Sequence, residues 1–111
     1  MAPSKSYIDL KMKATLSCKL TSADLQERRL TVIAELKKNL VSKNETDKGY
    51  IYTFKESNEM INQLAEFIRT ERLCCNFFTF RLEIGEEPGI VALRLSGPDG
   101  TKEFIEYELG M

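Results

Sequence analysis

Phe67–Ile84 reads F-I-R-T-E-R-L-C-C-N-F-F-T-F-R-L-E-I, and the spacing of its apolar side chains changes partway through. Up to the cysteines the period is three to four: Met60, Leu64, Phe67 and Ile68 share one face, and Glu71, Cys74 and Cys75 continue it. That is the repeat of a helix. After Cys75 the period drops to two, with Phe78, Phe80, Leu82 and Ile84 alternating with Thr79, Arg81 and Glu83. This is the pattern of a half-buried strand. The stretch predicts a helix that hands over to a strand, with adjacent cysteines at the junction. Glu71 lies in line with the apolar stripe, where a carboxylate is either partnered or functional.

Toward the N-terminus, Ser57 or Asn58 is placed to cap that helix, and Tyr50–Lys55 reads as a short strand with Tyr50, Tyr52 and Phe54 on one side. The polar run at 42–49, S-K-N-E-T-D-K-G, reads as a loop. Thr21, Ser22 and Asp24 signal the start of an earlier helix reaching to about Val41, with Leu25, Val32, Ile33, Leu36 and Leu40 on its apolar side. Arg29 falls on that side, so its stem should lie along the core. Its head either snorkels to water or pairs with an acid or anionic ligand, and Arg28 is the neighbour that could take either role. Ile8 to Leu20 alternates strictly, which predicts a long strand with Cys18 facing inward. Residues 1–6 read as a flexible tail, and 7–111 as a single α+β domain.

Toward the C-terminus, G-E-E-P-G at 85–89 is a turn, so Ile90–Leu95 should form a hairpin with the strand before it. Gly97-Pro98-Asp99-Gly100 then opens a last short helix through Phe104, Ile105 and Leu109. The expected order is β-α-β-α-β-β-α. Strands with one wet face and amphipathic helices between them make a two-layer α+β sandwich: a mostly antiparallel or mixed four-stranded sheet with helices on one face. Strand order does not follow from the pattern.

The chain has 111 residues, a net charge of −1 and no histidine. That near-neutrality argues against a general nucleic-acid or anionic-membrane surface, and no apolar run approaches the roughly 20 residues of a membrane span. Charge is uneven along the chain: residues 1–49 carry ten basic and six acidic side chains, residues 50–111 six and eleven. Two differently charged solvated faces is the simpler reading, and a charge-matched homodimer the other. The first residues lack the apolar core of a secretory signal. The expected location is therefore cytoplasmic, where thiols stay reduced.

Three cysteines without histidine form a soft-ligand inventory. Cys18, Cys74 and Cys75, with Glu71 completing or supporting the shell, would suit a soft metal or metalloid ion such as copper(I), mercury or arsenite. Structural zinc is a poorer fit, because no C-x-x-C pair is present. A second reading is a small thiol-dependent enzyme or redox sensor. There Cys74 or Cys75 would be the reactive thiol, Glu71 a proton carrier, and Arg29 or Arg72 a supporting cation. Against it stands the helix C-terminus, whose dipole disfavours a thiolate. The third reading is a structural partner-binding domain whose cysteines are inert core.

An inward cysteine on the first strand (Cys18), Arg28 or Arg29 in the first helix, Glu71-Arg72-Leu73-Cys74-Cys75-Asn76-Phe77-Phe78-Thr79-Phe80 and Ser96-Gly97-Pro98-Asp99-Gly100 together resemble a family of small uncharacterised bacterial proteins with an E-R-x-C-C-x-F-x-F motif. Asn76 stands where members often have proline. Some members are linked to heavy-metal response. The resemblance implies a thiol site in a bacterial protein and leaves its chemistry open.

Overall fold

The computed structural model describes residues 23–85 and 89–111, with the side chain of Cys74 excepted. Helix α1 spans Ala23–Lys38 and buries Arg29, Ile33 and Leu36, one residue per turn along a single stripe. It stops at Lys38, short of the expected Val41, because Leu40 belongs to the next element. Strand β1, Leu40–Glu45, is followed closely by β2, Gly49–Lys55, and the two pair antiparallel.

Half of the run expected to be a loop, residues 42–45, is therefore part of an edge strand. Its polarity is that of an edge: only one side is paired, and its backbone is recruited by the strongly strand-forming G-Y-I-Y-T-F-K beside it. Ser42 and Thr53 hydroxyls bond across the pair at 2.5 Å. The register shifts between Leu40 and Ser42.

Helix α2, Asn58–Cys74, starts where Ser57 Oγ accepts the Met60 amide at 2.9 Å, as an N-cap should. Its buried line is Met60, Leu64, Phe67, Glu71 and then Cys75 just past the end. Strands β3, Thr79–Ile84, and β4, Ile90–Ser96, form the expected hairpin. The sheet is antiparallel throughout, in the order β1-β2-β4-β3. Strand β4 thus lies between β2 and β3, which run parallel to each other.

One face of the sheet carries Tyr52, Phe54, Val91, Leu93 and Leu95, all fully buried, against Ile33 and Leu36 of α1 and Leu64 and Phe67 of α2. This is the expected α+β architecture with helices on the sheet. The expected strand at 8–20 lies outside the described residues. The fourth strand of the described sheet is β1.

Gly49 is where β2 meets β4 most closely: a Cβ there would stand 1.9 Å from the Leu95 carbonyl oxygen. Gly100, at φ 97°, turns the chain into helix α3, Thr101–Phe104, which widens into a π turn over Ile105–Leu109. Phe104 packs edge-on against Phe77, with ring centroids 5.0 Å apart, and against Phe78 at 5.8 Å. The aromatic run after the cysteines therefore anchors the C-terminal segment. Lys43 fastens the same segment to β1 through Glu106 at 2.6 Å and the Met111 carbonyl at 2.6 Å.

Candidate functional site

The end of α2 carries the chemistry. Cys75 caps the helix with its amide bonded to the Glu71 carbonyl, and its backbone has left the helical region, at φ −126° and ψ 81°. The helix ends there, and the chain turns through Asn76 and Phe77 into β3. One turn earlier on the same stripe, Glu71 is completely buried.

A carboxylate in that position needs a cation, and α1 supplies one. Arg29 donates Nε to Glu71 Oε2 at 2.8 Å and a terminal nitrogen to Oε1 at 3.3 Å, a two-pronged pair in the core. Of the two readings for Arg29, the structure holds the paired one. Its stem follows the stripe of Ile33 and Leu36, and the residue is only 7% exposed. Burial alone would lower the guanidinium pKa, but the hydrogen bond and charge of Glu71 outweigh it, and Arg29 is raised. The other terminal nitrogen stands 3.9 Å from Glu108 at the molecular rim. Arg28 instead faces Glu66 at 3.6 Å on the exposed side of α1.

Cys75 completes the group. Its thiol donates toward Glu71 Oε1 at 3.6 Å, within hydrogen-bond reach of a sulfur. Burial, then the neighbouring Glu71 charge, pushes the thiol from 9.0 up to about 12, Arg29 offsetting only part of this. The helix C-terminus acts in the same direction. The sulfur at this site is therefore a neutral thiol at neutral pH, held by an acid that is itself held by an arginine.

Of the expected residues, the structure brings together Arg29, Glu71 and Cys75. Arg72 is exposed on the last turn of α2 and makes no ion pair among the described residues. Cys18 and the sulfur of Cys74 lie outside them. Among the described residues no three thiol or acid groups converge as a ligand shell. Glu108 was not among the expected site residues: nothing in its local pattern, I-E-Y-E-L-G, signals that the π turn delivers it beside Arg29.

A shallow surface depression lined by Asp24, Glu27, Arg28, Thr31, Val32 and Glu66 lies on the exposed side of α1 and includes none of the three buried groups. Among the described residues no helix is long and apolar enough to cross a membrane. Compared with family models, curated proteins and solved structures, the chain matches none, so the reading of this site rests on its own geometry.

Proposed function

We propose that the chain binds a soft metal or metalloid ion through its cysteine sulfurs: Cys75 in the core, with Cys18 and Cys74. Glu71 orients the Cys75 thiol and receives its proton when the ion displaces it. The supporting observation is the Cys75 Sγ to Glu71 Oε1 contact of 3.6 Å, in the core, where Arg29 clamps the acid. A thiol this firmly protonated is a poor nucleophile, since the thiolate is the reactive form. A soft cation, by contrast, brings the charge that makes deprotonation favourable. That weighs against the thiol-dependent enzyme or redox sensor. A cytoplasmic setting and the resemblance to bacterial proteins linked to heavy-metal response belong to this same reading.

The second reading is inert core, favoured by the way Arg29, Glu71 and Glu108 join α1, α2 and the C-terminal π turn. One experiment separates the two. Reduced protein is incubated with zinc, copper(I), mercury(II) or arsenite and weighed by native mass spectrometry, beside Cys75→Ser. The expected result is retention of one of these ions by the parent chain and its loss in a folded Cys75→Ser. A reduced chain that retains none of them overturns the proposal and leaves the inert reading.

A further inference from the structure

The two edges of the sheet are built differently. Edge strand β1 is interrupted by a register shift and carries Lys43, devices that discourage a further strand from adding. Edge strand β3, T-F-R-L-E-I, has no such interruption: it pairs in continuous register with β4 over all six residues, contains no proline, glycine or lysine, and its two charges are of opposite sign. Its last residue, Ile84, is 48% exposed, and Arg81 and Glu83 are exposed on the outer face. Among the described residues nothing pairs with its outer side.

Arg81 is also in an unfavourable position within its own chain. Its cross-strand neighbour on β4 is Arg94, and like charges directly opposite are destabilising. Neither arginine has an ion pair among the described residues, and Arg94 Nε is buried without an acceptor.

We propose that β3 pairs antiparallel with β3 of a second copy of this chain about a two-fold axis at Leu82, joining the two sheets into one. The register selects itself. To keep core-facing residues on the core face, two copies of the strand must align about a residue, because a one-residue slip exchanges the faces. Centred on Arg81, the pairing sets Arg81 against Arg81. Centred on Glu83, it sets Glu83 against Glu83. Centred on Leu82, it sets Arg81 against Glu83 of the second copy, Glu83 against its Arg81, and Phe80 against its Ile84. Both acids and both arginines are then matched, and each Arg81 gains a counter-charge that it lacks among the described residues of its own chain. The pairing is isologous and closes at two copies.

Sedimentation equilibrium of the full-length reduced chain from micromolar to millimolar concentration tests this, with Arg81→Glu and the swap Arg81→Glu/Glu83→Arg alongside. The parent chain is expected to show a monomer–dimer equilibrium. Arg81→Glu places acid against acid twice and should weaken the dimer by at least about tenfold. Within the monomer the same change sets an acid opposite Arg94, so its thermal stability should hold or rise, which separates lost pairing from lost folding. The swap restores both cross-strand ion pairs and should bring the dimer back to within a few-fold. A parent chain that stays monomeric at millimolar concentration overturns the proposal. So does a dimer indifferent to Arg81→Glu, or a swap that fails to restore it.

Discussion

At the residue scale the molecule turns on a buried acid with a cation on one side and a thiol on the other. Replacing Arg29 by leucine would strand Glu71 without a cation in the core and should cost about 3–5 kcal/mol in urea denaturation. Replacing both residues by leucine removes the stranded charge as well, and should recover much of that loss. Cys75 should be nearly inert to a small alkylating reagent: at pH 8 its rate should be about a thousandfold below that of the unfolded chain. The linkage has a definite sign. A thiol whose pKa is higher folded than unfolded keeps its proton better in the native state, so its contribution is complete below pH 9.0 and is lost as pH rises toward about 12. Chemical denaturation at a series of alkaline pH values, compared with Cys75→Ala, reads that contribution directly. Glu71 was legible as a residue needing a partner, because a carboxylate on an apolar stripe breaks the helical pattern. Which cation answered it was only partly legible: the spacing put Arg29 on the apolar side of α1 but left Arg28 able to take its role, and the packing of α1 on α2 decides between them. Glu108 was less legible still, since a π turn shifts the facing of every residue it contains.

At the element scale, the change of period at the cysteines read correctly as the end of α2 and the approach to β3, because burial enforces both repeats strictly there. The hairpin of β3 and β4 was equally readable from its turn residues. Strand β1 was not: an edge strand with one paired side has few apolar positions, so its pattern resembles a loop until β2 is placed beside it. Two substitutions probe the elements. Ser57→Ala removes the acceptor for the Met60 amide and should cost about 1 kcal/mol in chemical denaturation. Gly49→Ala would drive a methyl group into the Leu95 carbonyl oxygen and should cost at least about 2–3 kcal/mol, because neither backbone can retreat without breaking the β2–β4 ladder.

At the scale of the whole molecule, the fold class followed from wet-faced strands and amphipathic helices, whereas strand order had to come from coordinates. Hydrogen exchange should find the slowest amides in β2 and β4, paired on both sides and carrying the fully buried face, with β1 exchanging sooner. The order β1-β2-β4-β3 also bears on how the chain is made. One of the two central positions belongs to β4, the last strand to leave the ribosome, so among the described residues β2 waits with one side open and β3 with no neighbour until Ile90–Ser96 slides between them. During synthesis most of the protein is therefore a half-closed template with unsatisfied backbone, a state prone to aggregation. A nascent chain halted before Ile90 should stay protease-sensitive and collect in the insoluble fraction, and release of about seven more residues beyond that point, the length of β4, should mark the onset of protection.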